Sequence, residues 1–177
     1  MILDRLLKPR PAKAAGAALY QAAVSQARSP SLYAAGRVPD TREGRFELYT
    51  LHVILLVERL RGGGEAAAET SQALFNAYLR GLDDAFRELG VGDLAVPKRM
   101  KTLGEAFYGR GRSYEQAFDG LPDRTSLTAL VSRTLLEGVE DAQVEVMADY
   151  VLAARQALEA QPDDALLAGQ VAWAPAP

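Results

Sequence analysis

The 177-residue chain contains no cysteine and a single histidine. These absences exclude disulfide frameworks, cysteine nucleophiles, zinc sites built from cysteine and histidine, and metal centres that need several histidines. Long hydrophobic runs are also missing, because uninterrupted apolar runs such as residues 53–57 extend to no more than five residues, far fewer than the ~20 that span a bilayer. The sequence therefore predicts no membrane-spanning helix, no metal and no cofactor.

The remaining composition is that of an ordinary globular domain, with 49% hydrophobic and 24% charged residues. The length predicts one domain that buries about 70% of its unfolded surface. The net charge of -3 hides an asymmetry, since residues 1–120 carry 17 basic and 14 acidic groups whereas residues 121–177 carry 3 and 9. Arginine supplies 16 of the 20 cations, which suits bidentate contacts with carboxylate or phosphate; a compositional bias toward arginine and alanine is the simpler explanation.

Apolar residues recur at helical spacing along nearly the whole chain, without sustained alternation of period two. This pattern predicts an all-α, single-domain bundle of about six to seven helices. The helix near residues 41–61 carries two apolar stripes and is predicted to be central. The predicted helices cover residues 14–28, 41–61, 65–89, 97–118, 126–137 and 141–160. Gly109 and Gly111 are predicted to interrupt or loosen the fourth of these.

Three segments are distinguished along the chain. Residues 1–13 form a basic, amphipathic N-terminal segment that either rests on an anionic membrane surface, docks on the core or frays. Residues 14–161 form the helical domain, in which Asp40 is the predicted N-cap of the central helix, with Glu43 three residues later. Residues 162–177 form a tail rich in alanine and proline, predicted to be disordered unless Trp173 docks back on the domain or on a partner.

Catalytic constellations are not found in the sequence. His52 lies in the middle of the most apolar helix, which predicts a packed, hydrogen-bonded side chain rather than a catalytic base or a haem ligand. The adjacent carboxylates Asp83 and Asp84 do not face each other on a helix. The glycine pairs near residues 90 and 110 follow no predicted strand, which argues against a phosphate loop. We therefore expect a protein that is not an enzyme.

A basic stripe with interleaved tyrosine runs through residues 98–112. Lys98, Arg99 and Lys101 lie in the first turns of a predicted helix, where the helix dipole disfavours cations. Two interpretations remain open: a contact for an anionic partner surface, or ion pairs with acidic side chains on other helices. Cations beside Tyr108 are also typical of single-stranded nucleic-acid binders, although a sequence pI near 5.3 argues against general nucleic-acid binding, and we expect no specific DNA partner.

The middle of the chain resembles the ubiquinol–cytochrome c chaperone family, whose members are assembly factors for cytochrome b of respiratory complex III. The resemblance covers about half of the chain, from Tyr20 to Arg110. It rests on ordered phrases, chiefly PDTREGRFEL at 39–48, RELGVGDLAVPKRMK at 87–101 and EAFYGR at 105–110. The resemblance implies an all-helical, non-enzymatic chaperone that holds newly made cytochrome b until haem is inserted and further subunits join.

Partners and location follow from the same resemblance. Nascent cytochrome b is the implied client, with a small helical partner protein and the ribosome exit region as further partners. Because no convincing transit peptide begins the chain, we expect a bacterial-type, cytoplasmic member peripheral to the inner face of the cytoplasmic membrane. The alternative function is a helical interaction scaffold, or a ribosome- or RNA-associated protein, that uses the basic stripe 98–112.

We hypothesise that the loop 37–45 and the basic start of the fourth helix, with Tyr108 and Arg110, border a hydrophobic groove that receives a client helix. The candidate client- or partner-binding residues are mostly cations that steer a nascent chain without tight sequence readout. They are Arg28, Arg37, Arg42, Arg45, Lys98, Arg99, Lys101, Tyr108 and Arg110.

Overall fold

The computed structural model of the protein describes residues 11–88, 96–137 and 141–177, and these ranges contain seven α-helices. Two short 3-10 turns, Pro30–Leu32 and Ala34–Gly36, lie between the first two helices. No strand occurs in the described ranges, and the all-α prediction is confirmed. In chain order the helices are α1 (Pro11–Ala27), α2 (Arg42–Leu60), α3 (Gly64–Glu88), α4 (Val96–Asp119), α5 (Thr125–Leu135), α6 (Asp141–Glu159) and α7 (Asp163–Leu167).

Helix α2 lies at the centre of the bundle and contacts α1, α3, α4, α5 and α6. Its side chains are buried on more than one side, because Leu51, Val53 and Leu55 are all at most 1% exposed. An apolar face of this width needs several neighbours to cover it, so the other helices pack around α2. The helix ends at Leu60. Two residues later, Gly62 takes a φ of 78°, which residues with an L side chain rarely adopt.

Helices α1 and α3 make the most extensive helix pair of the bundle. They approach so closely that a Cβ atom added at Gly16 would lie 2.5 Å from the backbone nitrogen of Leu74. Small residues on α1, among them Ala15, Ala23 and Ala27, are buried in the core. The alanine-rich sequence of α1 thus determines a short distance between the two helix axes.

Helix α4 runs without a break from Val96 to Asp119, so the predicted interruption at Gly109 and Gly111 is wrong. Each glycine in a helix interior costs about 1 kcal/mol relative to alanine. Phe107, Tyr114 and Phe118 nevertheless are all buried in the common core. This tertiary packing outweighs the weak helix propensity of the two glycines.

The first turn of α2 also differs from its prediction. Thr41, rather than Asp40, is the N-cap, and its Oγ1 accepts a hydrogen bond from the Gly44 backbone N–H at 3.1 Å. The Asp40 carboxylate instead accepts a hydrogen bond from Arg45 Nε at 2.6 Å. The threonine hydroxyl can cap the helix because its backbone is extended at this position, as N-caps require.

The C-terminal segment is packed on the domain, so the docked alternative that Trp173 offered is present and the default expectation of disorder is wrong. Helix α7 buries Leu166 completely, and Trp173 packs against the core. The Gln161 side chain holds the segment by donating to the Ala172 carbonyl at 2.8 Å and accepting from the Ala172 N–H at 2.7 Å. Polar contacts of this kind and one aromatic anchor stabilise a segment that has little helix of its own.

Some predictions fall on parts of the chain that lie outside the described residues. Residues 1–10 of the predicted N-terminal segment and the predicted helix end at Leu89 belong to these parts, whereas residues 11–13 form the first turn of α1. Across the described ranges, no helix combines the length and hydropathy that a membrane crossing requires.

Candidate functional site

The four predicted binding residues between α1 and the first turn of α2 are held in a local arrangement. Arg37 Nη1 donates to the backbone carbonyls of Ser31 and Ala34 at 3.0 and 3.3 Å. Arg45 pairs with Asp40, and its guanidinium lies 5.5 Å from the centroid of the Tyr33 ring. Arg28 and Arg42 are exposed. The loop between the two helices therefore uses some of its cations to maintain its own conformation.

The predicted basic stripe lies on α4 and divides into two environments. Lys101 is exposed, with its Nζ 3.9 Å from Glu105 Oε1, a geometry that contributes little stability. Arg110 is partly buried and pairs with Glu47 on α2. Burial raises the pKa of Glu47, and the neighbouring guanidinium opposes this shift. Lys98 and Arg99 belong to the first turn of α4, but their side chains lie outside the described residues.

Tyr108 is the large apolar side chain that the described part of the protein exposes most, at 55%. Its ring lies 5.2 Å from the Phe75 centroid and 5.8 Å from the Phe107 centroid. Phe107 is buried and in turn contacts Tyr78 at 5.1 Å. A continuous series of ring contacts thus runs from the interior of the bundle to Tyr108 at its surface. An exposed aromatic ring is an effective contact for a partner.

An open groove of about 580 Å³ adjoins Tyr108. Its walls come from the C-terminal half of α2, the glycine turn after it, the N-terminal half of α3, and the middle of α4. We call it the Tyr108 groove; its lining residues are Val57, Leu60, Arg61, Gly62, Gly64, Ala68, Ser71, Gln72, Phe75, Phe107 and Tyr108. The lining is mostly apolar, and its polar side chains are Arg61, Ser71 and Gln72.

A smaller hollow of about 110 Å³ continues from the Tyr108 groove along α4. Both share Val57, Arg61, Phe107 and Tyr108 in their lining. An ion pair between Arg61 and Glu115 lies at this boundary. The two hollows therefore adjoin each other, and the smaller one is lined by α2 and α4.

The groove agrees only in part with the sequence hypothesis. Among the predicted binding residues whose side chains are described, only Tyr108 lines it. The loop 37–45 lines neither hollow, and binding by its arginines stays a prediction. Arg61, Gln72 and Phe75 were not predicted as binding residues. The signal that the sequence offers for them is the glycine run 62–64 after an unusually wide apolar helix, because Gly62 and Gly64 are part of the lining.

The histidine is part of the core, as predicted. His52 is fully buried; its Nδ1 atom donates to the Leu48 carbonyl, and its Nε2 atom accepts from the Tyr150 hydroxyl, both at 2.7 Å. Burial lowers the pKa of His52 to about 4. With both ring nitrogens bonded, the imidazole is occupied by structural contacts. No group of three metal-ligating side chains was found when residues 11–88, 96–137 and 141–177 were searched.

The fold and the groove together define an all-helical protein with an aromatic-lined surface groove, an architecture typical of proteins that bind helical polypeptide segments. Comparison with known families identifies the group more closely. Residues 34–173 match the family model described as Ubiquinol-cytochrome C chaperone. The chain belongs to the ubiquinol–cytochrome c chaperone family, and the resemblance seen in its sequence is confirmed.

Individual relatives agree with this membership. Over 166 residues, or 92% of the chain, it is 25% identical to ubiquinol-cytochrome c reductase complex assembly factor 1 of Mus musculus and 24% identical to that of Xenopus laevis. The chain spans 56% of the mouse protein and 82% of the frog protein. The crystal structure of the Cbp3 homolog from Brucella abortus matches with a TM-score of 0.86 and 34% identity, over 99% of this chain and 98% of that one.

Proposed function

We propose that this chain is a non-enzymatic chaperone that binds newly synthesised cytochrome b and supports assembly of the ubiquinol–cytochrome c reductase complex. Family membership supports a role in complex assembly. The observation that carries the binding proposal is the Tyr108 groove, an open apolar surface beside an exposed aromatic ring.

The groove suits a helical client. It is open and mostly apolar, and it continues along α4 into the smaller hollow. A membrane protein that has not yet inserted exposes apolar helix faces, which aggregate in water unless they are covered. In this proposal the client places apolar side chains against Phe75, Phe107 and Tyr108 and leaves again when its membrane partners assemble.

The predicted binding cations have a separate part in the proposal. Residues 1–120, which carry 17 basic and 14 acidic groups, contain all of them, whereas residues 121–177 are acidic; they are Arg28, Arg37, Arg42, Arg45, Lys98, Arg99, Lys101 and Arg110. Such charge raises association rates with an anionic surface without demanding a fixed geometry. We place the chain peripherally at the inner face of the cytoplasmic membrane, near the ribosome exit region and with a small helical partner protein.

Site-specific photo-crosslinking tests this function directly. A photoreactive phenylalanine replaces Tyr108 in cells that make tagged cytochrome b, and a second strain carries the same group at Arg133, which is exposed on α5 and lines neither hollow. We expect crosslinks to cytochrome b from position 108 and not from position 133. Crosslinks from 108 only to RNA or to unrelated proteins would favour the scaffold alternative.

A pair of substitutions separates the groove from the rest of α4. Tyr108→Glu introduces a charge into the groove, whereas Gln116→Glu introduces the same charge at an exposed α4 position outside both hollows. We expect the first variant to lower the haem absorbance of cytochrome b in cells and the second to leave it unchanged. Equal absorbance in both strains would contradict the proposed groove.

A further inference from the structure

Arg61 is the one charged side chain among the described residues that line the Tyr108 groove. It follows the last residue of α2 and is also part of the lining of the smaller hollow. Its side chain is 55% exposed. A single cation therefore lies in a mostly apolar lining, where the groove and the smaller hollow meet.

The guanidinium of Arg61 is only partly used. Its Nη1 atom donates to Glu115 Oε1, and within the described ranges Glu115 is the one side chain that the Arg61 side chain bonds. A guanidinium carries five N–H donors in a fixed planar fork. Most of its donors therefore remain available to a second acceptor that enters the groove.

The two carboxylates near Arg61 line only the smaller hollow, and each accepts hydrogen bonds from an arginine. Glu58 accepts hydrogen bonds from Arg155 Nε and Nη2 at 3.1 and 3.0 Å, and Glu115 holds Arg61. Arg112 adds an exposed cation to the lining of the smaller hollow. The lining of the 580 Å³ groove consequently carries one cation and no carboxylate, and this charge complements an anion.

We infer that the helical segment taken by the Tyr108 groove carries a carboxylate, from aspartate or glutamate, beside its apolar face, and that this carboxylate binds Arg61. The inference rests on the proposed function of the groove as the docking site. A charge pair next to an apolar wall is screened less than a pair in water. A lysine at the same place would meet Arg61 with like charge, so Arg61 selects among apolar segments.

Three synthetic peptides test this selectivity. Each is an 18-residue amphipathic helix with a leucine and phenylalanine face, and they differ only in a glutamate, glutamine or lysine at one position beside that face. Binding to the full chain is measured by fluorescence anisotropy at low salt. We expect the glutamate peptide to bind roughly fivefold more tightly than the glutamine peptide, and the lysine peptide to bind more weakly than either.

Variants assign the effect to Arg61. Arg61→Gln should abolish the preference for glutamate, whereas Arg133→Gln, an exposed arginine outside the groove, should preserve it. The double variant Arg61→Glu with Glu115→Arg keeps an ion pair at this place but reverses the charge in the groove. Of the three peptides, the lysine peptide should then bind most tightly.

The outcomes separate this inference from the proposed function. If wild type binds the three peptides equally, or if Arg61→Gln keeps the same preference, and Tyr108→Glu still weakens binding of all three, the role of Arg61 is overturned and the groove stands. If Tyr108→Glu changes the binding of no peptide, the groove is not the docking site, and the inference falls with it.

Discussion

The Nε2 atom of His52 lies 2.7 Å from the hydroxyl oxygen of Tyr150, a residue 98 positions later in the chain. The same hydroxyl accepts a hydrogen bond from Gln26 Nε2 at 2.9 Å, and Trp173 places its ring edge-on to the imidazole at 5.0 Å. One buried polar cluster thus joins α1, α2, α6 and the C-terminal segment. Polar groups in a core stabilise one arrangement of helices because any other leaves them without partners.

This cluster predicts a pH dependence of stability. The pKa of His52 is about 4 in the folded protein, against 6.5 for an unperturbed histidine. Between these values the unfolded chain binds a proton that the folded chain does not, so the free energy of unfolding falls as the pH falls from 6.5 to 4 and levels off below. From pH 7.5 to pH 5 we expect His52 to contribute a loss of about 2 kcal/mol, measured by urea denaturation.

The control for this experiment is His52→Gln, which removes the titrating group and retains a side chain that forms hydrogen bonds. This variant should be less stable than wild type at pH 7.5 but should lose less stability between pH 7.5 and pH 5. An identical pH dependence in both proteins would show that other groups dominate the titration.

The docked C-terminal segment can be followed through Trp173, the one tryptophan of the chain. Trp173→Ala removes a partly buried ring that packs against His52, and we expect a loss of about 2 kcal/mol in the free energy of unfolding. Trp173→Phe should lose less, because the indole nitrogen is buried without a hydrogen-bond partner in the described structure. A native fluorescence maximum equal to that of the urea-unfolded chain would contradict docking.

The pair of Arg110 and Glu47 should matter more than the pair of Lys101 and Glu105. The Glu47 side chain is only 16% exposed, so Arg110→Ala leaves a desolvated carboxylate without its cation and costs about 1–2 kcal/mol. Lys101→Ala, at a side chain that is 79% exposed, should leave thermal unfolding unchanged. Adding Glu47→Gln to Arg110→Ala should restore part of the loss. If it restores none, the cost of Arg110→Ala comes from packing rather than charge.

Two glycine substitutions test the close approach of α1 and α3. Gly16→Ala places a methyl group 2.5 Å from the Leu74 backbone nitrogen, which forces the helices apart and should cost about 1–3 kcal/mol. Gly109→Ala, where no atom outside its own helix lies within 4 Å of the added Cβ, should instead stabilise α4 by about 0.5–1 kcal/mol. Thermal melts of both variants measure the contrast, and a stabilising Gly16→Ala would refute the tight packing.

Much of the fold was predictable because helical periodicity is a local property. The stripes that predicted a central helix at 41–61 reflect the same side chains, such as Leu51 and Leu55, that the structure buries. The break predicted at Gly109 failed because propensity is a weak local preference that the packing of Phe107 and Tyr114 overrides. The segment after residue 162 docks instead of being disordered, because Trp173 packs against His52 of α2 and the Gln161 side chain bonds the backbone of Ala172.

The sequence by itself determined the helical class, the absence of cysteine chemistry and, through its ordered phrases, the family. The sequence showed which residues are cations but not which residues pair with them. Arg110, for example, pairs with Glu47, which lies 63 positions earlier in the chain. Only the tertiary structure decided where the groove lies. Val57, Phe75 and Tyr108 come from three helices, and a concave surface exists only when the packing of those helices brings their side chains together.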